Sequence, residues 1–143
     1  QKIFLNLLSN SIKYTPEGGY IWFSLHNSPG TDGTTAALLT VKDDGIGISQ
    51  EFLPHIFDVF AQEKQPGYES VGTGLGLAIV KQLIDLMGGT ISIESTKGLG
   101  TTITVQLQFK EAAAPADTNK GTMPALKNVD FTGRKYYYAK IMN

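Results

Sequence analysis

Gly72, Gly74 and Gly76 stand at alternate positions in Gly72-Thr-Gly-Leu-Gly-Leu-Ala-Ile-Val80, and the apolar run that follows them reads as the start of a helix. The first amide hydrogens of a helix lack carbonyl partners and sit at the positive end of its dipole, so a phosphate can satisfy them without a lysine nearby. A flexible loop ahead of a core helix would leave the same glycines. Asn6, Asn10 and Lys13 recur at i, i+4 and i+7, which places two amides and an ammonium along one helix face where they could meet a single ligand. A solvated polar face has the same spacing, but asparagine is a poor helix former and two of them a turn apart ask for a reason. In Asp43-Asp44-Gly45-Ile46-Gly47-Ile48 a carboxylate precedes two alternate glycines. That suits backbone passing close to a flat ligand while the carboxylate accepts a hydrogen bond from an amino group, and it equally suits an ordinary Asp-Gly turn.

The elements carrying these groups follow from periodicity. Gln1 to Tyr14 has helical spacing, with Phe4, Leu5, Leu8 and Ile12 together on one side, and Thr15-Pro16-Glu17-Gly18-Gly19 stops it. Tyr20 to Asn27 alternates as a strand with Ile21, Phe23 and Leu25 on one face, and Ala36 to Val41 returns beside it, running directly into Asp43. Ser49 caps a short helix to Phe57 that Pro54 limits, and Ala61 to Val71 is polar, either a lid or a plain surface loop. Gly74 to Met87 is a second helix with Leu77, Val80, Ile84 and Met87 inward, closed by Gly88-Gly89. Thr90 to Ser95 and Thr101 to Phe109 form a second hairpin around Lys97-Gly98-Leu99-Gly100. This order predicts an α+β fold, an antiparallel sheet with helices on one face. His26 and His55 read as surface or packing residues.

The 143 residues suit one domain, and 41% apolar content suffices for a core. Twelve basic and 13 acidic residues give a net charge of −1, no electrostatic footprint for nucleic acid or an anionic membrane, so phosphate would have to be bound locally. The absence of cysteine excludes disulfides and thiolate metal sites and is compatible with a reducing cytoplasm. No apolar run approaches the roughly 20 residues of a membrane helix. From Glu111 the composition turns to alanine, proline and polar residues, so 111–128 is expected to be a linker and 129–143 an unassigned tail in which Tyr136-Tyr137-Tyr138 could start a strand.

Taken in order, Asn6-x-x-x-Asn10-x-x-Lys13-Tyr14, Asp43-x-Gly45-x-Gly47, Phe57-x-x-Phe60, Gly72-x-Gly74-x-Gly76-Leu77 and Gly98-x-Gly100-Thr101 resemble the boxes of the catalytic ATP-binding domain of bacterial sensor histidine kinases. The resemblance covers Gln1 to about Phe109. It implies a two-layer Bergerat-type sandwich, shared with gyrase, a heat-shock chaperone and mismatch-repair ATPases, here lacking the family's first strand. It also implies ATP and Mg2+, with Asn10 as the metal ligand, Asp43 on the adenine amino group and Thr101 nearby through a water. Lys13 would meet phosphate, Tyr14 and Ile48 would wall the base or ribose, and Gly45 and Gly47 would let backbone approach. Phe57 to Val71 would be a lid, bearing Phe60 and Lys64, with its hinge and phosphate amides at Gly72, Thr73, Gly74, Leu75, Gly76 and Leu77. The ATPases of this fold carry a water-activating glutamate where this chain has Asn6, so the resemblance is to a kinase, with Asn6, Asn10 and Lys13 as its catalytic residues. It implies as partners a phosphoacceptor histidine on a separate helical dimerisation domain and a response-regulator receiver, in a homodimeric parent whose kinase domain is cytoplasmic. The tail stands where hybrid kinases place a receiver. A nucleotide-binding switch without transfer activity and a slow ATPase of the same fold remain open. A dinucleotide-binding Rossmann fold is disfavoured, because Leu77 takes the place of its third glycine and a polar loop precedes the motif.

Overall fold

The computed structural model describes residues 2–68, 72–110, 129–131 and 134–140. Helix α1 spans Lys2–Tyr14, strands β1 and β2 span Tyr20–Pro29 and Thr34–Asp43, and a single 3-10 turn covers Leu53–His55. Helix α2 (Gly76–Leu86) is followed by β3 (Thr90–Thr96), β4 (Gly100–Lys110), β5 (Val129–Phe131) and β6 (Arg134–Lys140). The described strands form one sheet in the order β3-β4-β2-β1-β6-β5, each pair antiparallel. The expected α+β sandwich is what forms, and α1 and α2 pack against each other and against the sheet. The expected linker lies outside the described residues, while 134–140 pairs with β1, Trp22 opposite Tyr138.

The core lies between the helices and the inward face of β1, β2 and β4, where Leu7, Ile21, Val41, Val80, Ile84, Ile103 and Val105 are buried together. Full burial of such side chains stabilises the fold by about 1.5–3 kcal/mol each before entropic costs. Their places follow period two in the strands and the i, i+4 spacing of Val80 and Ile84 in α2.

Three expectations are corrected. In α1 the buried residues are Leu7 and Ser11, whereas Leu5 and Ile12, expected inside, are 59% and 51% exposed. The asparagine face also turns inward, so the core-facing stripe is rotated away from Leu5 and Ile12. Met87, expected inside, is 51% exposed at the C-terminal cap of α2, one residue past Leu86. The segment after Ser49 winds into only one 3-10 turn, although the Ser49 hydroxyl does accept the Phe52 amide (3.2 Å). Pro54, without an N–H, cannot donate to a longer helix. No helix among the described residues is long and apolar enough to cross a membrane.

Candidate functional site

A cavity of about 300 Å3 opens between α1, the end of β2, the loop after it and the start of α2. Its wall includes Asn6, Asn10, Lys13 and Tyr14 from α1, Asp43, Gly47 and Ile48 from β2 and its loop, Gly72, Thr73, Gly74, Gly76 and Leu77 from the glycine loop, and Thr101 from β4. Residues far apart in the chain thus share one hollow. Of the expected binding residues, Gly45, Phe60, Lys64 and Leu75 do not line it. Gly45 acts from behind, donating its amide to Asp43, and Leu75 is the residue just before α2. Phe60 is 71% exposed and contributes backbone instead, its N–H donating to the Gly74 carbonyl (3.0 Å). Lys64 points to solvent.

Asp43 closes the inner end of the cavity. Its carboxylate is buried, with Oδ1 accepting the Gly45 amide (3.0 Å) and Oδ2 the Ser11 hydroxyl (3.1 Å). A carboxylate has about four lone-pair positions, so capacity remains for a donor in the cavity. Burial pushes the Asp43 carboxyl above the usual carboxylate range; hydrogen bonds from Gly45, Ser11 and the Thr101 backbone pull the other way without overcoming it, and the neighbouring Asp44 charge adds to the rise. The loop that follows needs its glycines for space. A Cβ on Gly45 would strike the Tyr14 carbonyl, and one on Gly47 (φ +66°) would strike the Thr96 carbonyl.

At the opposite end, α2 starts without a side-chain cap, and the first amide to find a helical partner is that of Ile79, which donates to the Leu75 carbonyl (2.9 Å). Among the described residues the amides of Gly76, Leu77 and Ala78 have no backbone partner, as at any helix start, and Gly76 and Leu77 line the hollow. Gly72 and Gly74 take φ of +90° and +72°, and the Lys13 ammonium packs where a Gly72 side chain would lie. Asn6 Nδ2 donates back to the Lys2 carbonyl (3.0 Å), which turns Oδ1 toward Gly76. The Asn10 amide has no hydrogen-bonding partner among the described residues. The cavity wall thus combines the start of a helix, a lysine and an amide oxygen with a buried carboxylate: complementary to a ligand with a polyanionic part and a hydrogen-donating part.

Sequence reasoning missed part of the wall. Phe52 and Ile56 form an apolar side, and their i, i+4 spacing could have flagged them. Ser11, Gln62, Glu63 and Gln65 also line the cavity, and no local signal distinguishes them. Glu63 pins the stretch before Gly72. Its carboxylate accepts from Lys97 Nζ (3.0 Å) and from the Ser49 amide (3.3 Å), while Gln62 Nε2 donates to the Gly72 carbonyl (2.8 Å) and Tyr68 packs on Tyr14 with ring centroids 5.8 Å apart. Partial burial alone would raise the Glu63 carboxyl, but Lys97 and Ser49 outweigh it and hold it below its ordinary value. A depressed carboxyl favours the pinned form above the unfolded-state value and loses that contribution as pH falls through the folded-state value. Removing Lys97 should therefore free the stretch: in Lys97→Ala, trypsin cleavage after the exposed Lys64 is expected to quicken severalfold at neutral pH, and an unchanged rate would show that the other contacts suffice.

The model of the histidine kinase-, DNA gyrase B- and HSP90-like ATPase family matches residues 1–111. Sensor histidine kinase WalK of Bacillus subtilis (strain 168) is 41% identical over 107 residues, 74% of this chain and 17% of WalK. Among solved structures, the mycobacterial sensor histidine kinase MprB superposes with a TM-score of 0.59 at 29% identity, over 78% of this chain and 70% of that one. Full-length ShkA in complex with AMPPNP gives a TM-score of 0.58 at 33% identity, over 79% of this chain and 22% of ShkA. The chain spans less than a fifth of the length of the curated relatives it matches.

Proposed function

The chain belongs to the histidine kinase-, DNA gyrase B- and HSP90-like ATPase family, and we propose that residues 1–110 act as the ATP-binding catalytic domain of a two-component sensor histidine kinase. In this reading the γ-phosphoryl group passes to a histidine on a separate helical dimerisation domain of a homodimeric parent, and from there to the receiver of a response regulator. The observation that carries the reading is the convergence of Asn10, Lys13, Asp43 and, from the glycine-rich stretch, Gly72, Thr73, Gly74, Gly76 and Leu77 on one hollow large enough for a nucleotide. The likeness to ShkA, whose structure holds AMPPNP, supports it.

Asp43 accepts from the adenine amino group, Tyr14 and Ile48 flank the base or ribose, and the amides at the start of α2 with Lys13 hold the phosphates. The donor set fits a magnesium ion that arrives with the nucleotide. Asn10 offers an unpartnered amide oxygen, and among the described residues no group of three acidic, histidine or cysteine side chains could hold a metal by itself. Bound there, Mg2+ would neutralise phosphate charge as transfer proceeds. Asn6 separates transfer from hydrolysis. Its amide cannot take a proton from water near neutral pH, so the γ-phosphoryl group is kept for the histidine nitrogen, which attacks phosphorus as the bond to the β–γ bridging oxygen breaks and ADP leaves.

The test mixes the chain with Mg2+ and γ-labelled ATP, with and without a separately produced dimerisation domain of a histidine kinase. Acid-labile phosphohistidine on that domain, with little phosphate released in its absence, is the expected result. Binding without label on the histidine would make the chain a nucleotide-binding switch, and rapid phosphate release alone would make it an ATPase.

A further inference from the structure

Ser95 lies beneath the inner end of the cavity, outside its wall. Register puts it in a cross-strand row, Ser95 opposite Thr101 and Thr101 opposite Asp43, so all three side chains stand on the helix-facing side of the sheet. The Ser95 hydroxyl touches three groups: the Ile48 amide nitrogen at 2.8 Å, the Gly100 carbonyl oxygen at 2.9 Å and Thr101 Oγ1 at 2.8 Å. It has one proton and two lone pairs to share among them. The Ile48 N–H can only donate, so it takes one lone pair. The Gly100 carbonyl can only accept, so it takes the proton. What remains for Thr101 is a lone pair, and Thr101 must spend its own proton on Ser95.

We propose that Ser95 is a positioning residue for base selection: by holding the Thr101 proton away from the cavity, it leaves Thr101 facing the ligand as an acceptor only. With the Asp43 carboxylate across the same row, the inner end then offers lone pairs alone. Such a surface receives a base that presents an exocyclic amine and repels one that presents an oxo oxygen. The inference rests on the adenine reading of Asp43 and adds to it the residue that sets the second acceptor.

The test compares affinities by calorimetric titration for ATP and for inosine triphosphate, which carries an oxo oxygen in place of the 6-amino group and a hydrogen on N1, with 6-methoxypurine riboside triphosphate, an oxygen at position 6 beside a bare N1, separating the two changes. The wild-type chain should prefer ATP. In Ser95→Ala the Thr101 hydroxyl is free to turn and donate to the oxo group, and the ratio of the two affinities should narrow by roughly three- to tenfold, the worth of one neutral hydrogen bond. Ser95→Thr keeps a hydroxyl in place and should hold the wild-type ratio. If loss of the Ile48 partner unfolds Ser95→Ala, Thr101→Val deletes the same lone pair without touching Ile48 and should narrow the ratio as well. A wild-type preference for ATP that Ser95→Ala or Thr101→Val leaves unmoved, both affinities falling in parallel, would overturn this proposal alone. Failure of the wild-type chain to bind either nucleotide would overturn the nucleotide reading and this inference with it.

Discussion

Asn10→Ala is expected to slow phosphoryl transfer to the dimerisation domain by roughly 10²–10³-fold, the range seen when one preorganised group is removed from a charge-stabilising site. The same change should remove most of the dependence of nucleotide binding on magnesium, read by titration with and without the metal. Stability should move the other way. The Asn10 side chain spends no hydrogen bond on the fold among the described residues, and alanine is the better helix former by about 0.5 kcal/mol, so the melting temperature should hold or rise slightly. Loss of activity with loss of stability would mean that Asn10 is a structural residue. Full magnesium dependence in the variant would take the metal away from it.

Asp43→Ala should weaken ATP binding by about 1–3 kcal/mol, roughly ten- to a hundredfold, because the adenine amine would be buried without an acceptor. Unchanged affinity would remove base recognition from this residue. The pH dependence gives an independent check, since folding and binding respond to Asp43 in opposite directions. Burial raises its carboxyl in the folded chain. Between the unfolded and folded values the native state therefore holds the extra proton, and the Asp43 contribution to stability, full below the unfolded value, is lost as pH rises through the folded one. Base binding needs the carboxylate and so strengthens over that interval. The affinity for ATP should accordingly rise with pH through a midpoint above the ordinary carboxylate range, and Asp43→Asn should flatten the profile while keeping an oxygen for the Gly45 amide. A midpoint at the ordinary value would mean that the nucleotide does not bind against a desolvated Asp43.

Much of the fold was legible because it is local. Period two in Ile103 and Val105, period 3.6 in Val80 and Ile84, and stops at Thr15-Pro16 and Gly88-Gly89 mark the elements before any contact is known. The glycine-loop wall of the cavity was legible for the same reason, since Gly72, Gly74 and Gly76 carry their backbone requirement within one short stretch. On α1 the reading failed at the apolar face. Periodicity gives the angles between side chains around a helix but not the direction of the sheet, and here the stripe turned inward holds Leu7 and Ser11 while Leu5 and Ile12 face out.

Residue identities and spacing alone determined which chemistry this chain carries: amides on one helix, a carboxylate at a strand end, bare backbone ahead of another helix. Only the tertiary structure decided that these groups share a hollow, that Ser11 stands on Asp43, and that Ser95, Thr101 and Asp43 form one row. The reason is that cross-strand register joins residues distant in the chain, and shifting a strand by a single residue would turn Asp43 to the opposite face without altering any local pattern.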